Sequence, residues 1–169
     1  GGMGFHQRER RAFFHHNQDA GVACFGDVQT EGTSGHIARN AKCHAALREG
    51  ERVNALLMAL PVATYTTDAQ GRITFYNQAA ATLWGRHPKL GVDMWCGSWR
   101  LYWQDGRPMP LEQCPMAVAL KENRALQGEA WVERADGSRV PFLAYPSPLR
   151  DAAGTLIGAV NMMVDISER

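Results

Sequence analysis

No apolar run in these 169 residues approaches the ~18 needed to span a bilayer as a helix. An excess of charge of one sign is missing too. Lys and Arg number 18 against 17 Asp and Glu, a formal net charge of +1 that leaves no electrostatic footprint for nucleic acid or an anionic membrane. The short basic cluster of Arg8, Arg10 and Arg11 includes Glu9 and reads as a solvated tail. Cysteine is scarce: Cys24, Cys43, Cys96 and Cys114 show no close pairing and no Cys-x-x-Cys spacing, which makes a reducing cytoplasm the simplest compartment. Met3 is followed by charged and polar residues without an apolar h-region, so no secretory signal is visible. His15, His16, His36, Cys43 and His44 match no compact zinc spacing, and no metal is expected. A Gly-rich nucleotide loop and a Gly-x-Ser-x-Gly elbow are also lacking, so this segment is not expected to be an enzyme. Asp68, Asp136 and Asp151 are the carboxylates a catalytic reading would use, but each sits in a turn signal where an Asx hydrogen bond accounts for it.

What the chain does contain is a stretch of β-patterned sequence from Glu129 to Asp165. Two turn signals, Ala135-Asp136-Gly137-Ser138 and Asp151-Ala152-Ala153-Gly154, divide it into a three-stranded meander. In the last run Val160, Met162 and Val164 oppose Ala159, Asn161 and Met163. The middle run, Arg139 to Leu149, carries Pro141, Pro146 and Pro148, which suit an edge, a bulge or a strand end; it is expected to be the irregular strand.

Upstream, residues 1–39 hold neither period 2 nor period 3.6 for long and predict a flexible arm. Residues 40–60 predict a helix capped by Asn40, with Val53, Leu57 and Leu60 on a narrow apolar seam and Pro61 ending it. The seam is expected to pack on its own domain or on a second copy, and it predicts a homodimer through Val53, Leu57 and Leu60. A hairpin follows: Val62 to Thr67, the turn Asp68 to Gly71, then Arg72 to Tyr76. Asn77 predicts the N-cap of a helix over Gln78 to Trp84, stopped by Gly85 in the left-handed conformation. Trp99, Leu101 and Trp103 fit a small hairpin leading into Asp105-Gly106, and the rings of this segment either wall a pocket or cover the sheet. Leu111 to Arg124 predicts a helix burying Met116, Val118, Ala119 and Leu120, with Pro115 tolerable only near its first turn. The order implies an α+β fold, a five-stranded antiparallel sheet with helices on one face, preceded by an N-terminal helix.

The run Asp68-Ala69-Gln70-Gly71-Arg72-Ile73-Thr74-Phe75-Tyr76-Asn77-Gln78-Ala79-Ala80, the Asp136-Gly137 turn and the closing Asp165-Ile166-Ser167-Glu168-Arg169 together resemble a PAS sensory domain. Gly97-Ser98-Trp99-Arg100-Leu101-Tyr102, then Asp105-Gly106-Arg107-Pro108-Met109-Pro110 and Cys114-Pro115-Met116-Ala117-Val118-Ala119-Leu120, resemble the version common in bacterial sensor histidine kinases and related signalling proteins. The resemblance begins near Leu57, and the sensory domain is placed at 61–169. It implies a regulatory module, with a small pocket between sheet and helices and a signal leaving after the last strand for an output domain downstream. Any catalysis is expected beyond Arg169. The pocket is expected to be lined by Trp95, Trp99, Met116, Leu120, Phe142 and Met162, converging from separate elements on the inner sheet face. Departures from the family's subtypes bear on the cofactor. Cys96 and Cys114 do not sit in the Asn-Cys-Arg-Phe-Leu context of the flavin photosensors, which argues against a flavin adduct, and the long helix lacks the histidine that haem versions use. An unliganded pocket or a small organic ligand is expected. At the exit, Asp165 and Glu168 have capping-box spacing, with Asp165 accepting from the Glu168 amide. The alternative function is a ligand-free dimerisation or protein-docking module.

Overall fold

The structure, a computed structural model, describes residues 34–168, with side chains described from residue 42. The arm's His15 and His16, and the basic cluster at Arg8, Arg10 and Arg11, lie outside the described residues. The chain divides into two units, 1–51 and 52–169. The described part of the first is helical: α1, Ser34–Ala59, is already running at Ser34, so Asn40 lies inside the helix and is not its N-cap. Gly50 does not interrupt it, although an interior glycine costs about 1 kcal/mol relative to alanine. Cys43 is disulfide-bonded, so it is not one of a set of unpaired thiols. Cys96 and Cys114 are free thiols.

In the second unit, β1 (Ala63–Asp68) and β2 (Ile73–Tyr76) form the expected hairpin. Asp68 builds the turn: its Oδ1 accepts the amides of Gln70 and Arg72 at 3.0 and 2.9 Å, and its Oδ2 takes the Arg72 Nε at 2.7 Å. Asn77 then starts α2 (Gln78–Trp84), accepting the Ala80 amide at 2.9 Å, and Gly85 ends it at φ 69°. The same Asn77 does more than cap. Its Oδ1 accepts the Thr64 amide at 3.0 Å, while its Nδ2 donates to the carbonyls of Leu57, Leu60 and Val62 at 3.2, 3.3 and 2.8 Å. One buried amide side chain thus fastens the last turn of α1, the start of β1 and the start of α2.

The remaining elements are β3 (Arg100–Tyr102), β4 (Pro108–Met109), a single 3-10 turn at Leu111–Gln113, α3 (Pro115–Glu122), β5 (Gly128–Glu133), β6 (Arg139–Arg150) and β7 (Leu156–Asp165). They complete one antiparallel sheet in the order β2-β1-β7-β6-β5-β3-β4. The sheet has seven strands, not five, because the small hairpin expected near Asp105-Gly106 joins it, Leu101 pairing with Val132 of β5. The helix expected from Leu111 begins only at Pro115, since proline is favoured at the first helical position and excluded from the interior.

The proline-rich run is a second correction. β6 is a central strand between β5 and β7, not an edge. Its prolines are tolerated because of where the neighbours stop. In an antiparallel strand the N–H and C=O of a residue leave on the same side. Pro141 accepts from the Ile166 amide at 3.0 Å, so its missing N–H faces β7 beyond that strand's last pair, Phe142 with Asp165. Pro146 accepts from the Leu126 amide at 3.2 Å and faces β5, which begins only at Gly128; Pro148, two residues on, faces the same unoccupied side. No ladder donor is lost at any of the three.

The core lies between the concave face of the sheet and α2 and α3. It holds Tyr65, Ile73, Trp84, Leu101, Met116, Val132, Phe142 and Met163, all essentially inaccessible. On α3 the buried residues are Pro115, Met116, Ala117, Ala119 and Leu120, while Val118 is only half-buried.

Candidate functional site

The inner face of the sheet is apolar except for a few polar groups that its strands and one loop bring together. β1 directs Tyr65 and Thr67 inward, β7 directs Asn161, and the loop before β3 contributes Cys96 and Ser98. Their bonds run through the interior. The Tyr65 hydroxyl donates to the Trp95 carbonyl at 2.8 Å, Asn161 Nδ2 donates to the Tyr65 oxygen at 3.3 Å, and Asn161 Oδ1 accepts the Tyr145 amide at 3.0 Å. Trp84 packs edge-on against Tyr65, ring centroids 5.0 Å apart. Two buried polar atoms stay unbonded: Thr67 Oγ1 and the indole nitrogen of Trp84. The Trp84 indole stands beside the Cys96 sulfur, which accepts the Ser98 hydroxyl at 3.1 Å.

Burial sets the protonation of these groups. It raises Tyr65 well above the ordinary phenol value and pushes the Cys96 thiol up despite the Ser98 hydroxyl, which favours the thiolate. Cys114 is pushed up to about 12, again chiefly by burial. Both cysteines are thiols at neutral pH, so neither is a ready nucleophile.

Of the six residues expected to line a pocket, Met116 and Leu120 on α3 and Phe142 on β6 converge on this inner face, and Trp95 packs against it half-buried. Trp99 and Met162 do not. Trp99 is 61% exposed and lies beside a cleft of about 340 Å³ with Arg100, Pro108 and Leu111; Met162 is 47% exposed on the outer face. For Met162 the cause is strand parity: its neighbours Asn161 and Met163 are the inward residues, and a one-residue change flips the face. Tyr65, Trp84 and Asn161 were not singled out in the sequence. Only Asn161, a polar residue inside an apolar run, carried a signal that could have marked it.

At the exit of β7 the Asp165 side chain makes a bond of the kind an N-cap makes, to the amide two residues on. Asp165 Oδ1 accepts the amide and the hydroxyl of Ser167 at 2.8 and 2.6 Å, and Glu168, exposed, follows the turn. Beside the exit lies a cleft of about 390 Å³ bordered by Val62, Leu83, Arg134, Met163 and Asp165. Arg134 Nε donates to the Leu83 carbonyl at 3.1 Å. The carboxylates Asp136 and Asp151 make the expected Asx bonds, to the Ser138 amide at 2.9 Å and to the amides of Ala153 and Thr155 at 2.9 Å.

A family model of the PAS fold matches residues 57–169, more than half of the chain. The chain belongs to the PAS fold family. Similar solved structures include the PAS domain from the fruit-fly ELK potassium channel, at 15% identity and TM-score 0.54, covering 69% of this chain and 96% of that one. The Rhodobacter sphaeroides LOV protein is 15% identical with TM-score 0.53, covering 72% of this chain and 68% of that one. The PAS domain of an HTR-like protein from Haloarcula marismortui is 16% identical with TM-score 0.49, covering 75% and 99%. At such identities the likeness concerns the fold alone. PAS domains are regulatory modules that commonly dimerise and link to output domains. Among the described residues no helix is long and apolar enough to cross a membrane.

Proposed function

We propose that this PAS domain is the sensory module of a bacterial signal-transduction protein, a sensor histidine kinase by the resemblance of its motifs. On this reading it binds a small organic ligand at the inner sheet face and passes the change to a downstream output domain through the end of β7, at Asp165 and Glu168. One observation carries the reading. A mostly apolar interior holds Thr67 Oγ1 with no partner and Trp84 Nε1 with only the Cys96 sulfur, a weak acceptor, beside it, near the bonded pair Tyr65 and Asn161. Unsatisfied buried polar atoms cost free energy unless something occupies them, and a ligand's polar groups would do so. Trp95, Met116, Leu120 and Phe142 form the apolar part of that lining. Native mass spectrometry of the protein with a metabolite library tests this: a bound small molecule is expected, and its loss in Ala119→Phe, which fills the inner face at a cost of about 1–3 kcal/mol. If Ala119→Phe folds and binds as the wild type does, the inner face is not the site.

A second reading, ligand-free dimerisation or docking, is favoured by the apolar surface that α1 exposes. Val53 and Leu60 are exposed and Leu57 half-buried, with Leu56 and Met58 exposed beside them. We propose that Val53, Leu57 and Leu60 meet a second copy. Sedimentation of Val53→Glu with Leu57→Glu is expected to show a monomer where the wild type is a dimer; a monomeric wild type rules the interface out.

A further inference from the structure

Four groups from four segments of the PAS domain are joined end to end. The Tyr145 amide on β6 donates to Asn161 on β7, Asn161 donates to Tyr65 on β1, and Tyr65 donates to the Trp95 carbonyl, at 3.0, 3.3 and 2.8 Å. All three bonds point the same way, the arrangement in which each polarises the next. The two inner members, Tyr65 and Asn161, are buried, so water does not compete for their bonds. The two ends differ. Trp95 has φ 65°, a left-handed conformation that a bulky residue keeps only when its surroundings hold it. Here the Trp95 amide donates to the Gly71 carbonyl at 2.7 Å, the ring lies on Gly71 so closely that a Cβ there would collide with it, and Lys121 Nζ stands 5.7 Å from the ring centroid. At the other end the Tyr145 side chain is exposed on the outer face, paired across the ladder with Met162.

We propose that Tyr65 and Asn161 form a relay that couples the strained backbone at Trp95 to β6 at Tyr145, so that relaxation of Trp95 is read on the outer face of the sheet. If Trp95 moves to negative φ, its carbonyl turns from the Tyr65 hydroxyl. The phenol is left with the Cys96 sulfur, a weak acceptor, the Asn161 amide loses its fixed oxygen, and the hold of Asn161 on the Tyr145 amide loosens. Burial keeps Tyr65 protonated, so the relay persists across the physiological pH range. The relay requires neither a ligand nor an output domain.

Amide hydrogen exchange on the full chain, resolved by nuclear magnetic resonance, tests it. Tyr65→Phe, which removes only the hydroxyl, is expected to speed exchange at Tyr145 by roughly two- to tenfold while Leu143 and Ser147 on the same strand keep their rates. Trp95→Ala, which removes the ring that holds the left-handed backbone, is expected to produce the same response at Tyr145 and little more when added to Tyr65→Phe. Trp95→Gly, which tolerates positive φ, is expected to leave Tyr145 near its wild-type rate and serves if the alanine variant does not fold. An equal change at Leu143, Tyr145 and Ser147 in Tyr65→Phe overturns the relay. So does a Trp95→Ala response that survives undiminished in the Tyr65→Phe background, or a Trp95→Gly response as large as that of Tyr65→Phe.

Discussion

Alternate residues of β7 live in different environments. Ala159, Asn161 and Met163 face inward and are at most 2% exposed, whereas Met162 and Val164, one position away, are 47% and 41% exposed. The two methionines have identical chemistry. What separates them is parity: the strand has period 2, and the core covers one face only. The inner face is enclosed and carries oriented polar groups, and the outer face offers breadth and apolar exposure. A pocket assigned by residue type alone gathers from both faces.

The sharpest way to break this comparison is to truncate the two methionines separately. Met163→Ala is expected to cost about 2–5 kcal/mol in chemical denaturation, and Met162→Ala to stay within about 0.5 kcal/mol. Similar losses in both would mean that the outer face is covered as well. A smaller effect is expected at the strand's end. Asp165→Ala removes two bonds to Ser167 in an exposed turn, costs on the order of 1 kcal/mol or less, and leaves the inner face unchanged. In the full-length protein it is expected to alter the ratio of stimulated to basal output; an unchanged ratio makes the turn structural only. The smallest effect at neutral pH comes from Cys114. Its folded value of about 12 lies above the unfolded thiol's ~8.5, so the native state retains a proton that the unfolded chain releases. The contribution is complete below the unfolded value and is lost as pH rises towards the folded one. Melting temperature should fall over that alkaline window, less steeply in Cys114→Ala; identical slopes would show that the thiol is not buried in solution.

What was legible in the sequence follows from how far apart the determining groups lie. Asn77, Ala80 and Gly85 define α2 within a few residues of each other, and the Asp68 turn is equally local, so both follow from residue types and spacing. The β3–β4 hairpin was readable, but its place in the sheet was not, because that depends on Leu101 meeting Val132. The central place of β6 was unreadable for the same reason, although its prolines do stand where a neighbouring strand has stopped. Their tolerance rests on β5 beginning at Gly128 and β7 ending at Asp165, and no residue of β6 records those limits. At the candidate site, Met116, Leu120 and Phe142 were visible from amphipathic pattern. Tyr65 was hidden among ordinary β-formers, and the choice of Met162 over Met163 needed the register with β1, in which Thr64 opposes Met162 and Ala63 opposes Met163.

Binding at the inner face is tested most directly by a two-dimensional nuclear magnetic resonance titration of this PAS domain with any small organic molecule retained in native mass spectrometry. The largest shifts are expected on Tyr65, the Trp84 indole N–H, Phe142 and Asn161, with the Trp84 indole proton moving as it gains an acceptor. Shifts confined to Tyr145, Met162 and Val164, with the Trp84 indole unmoved, would contradict it.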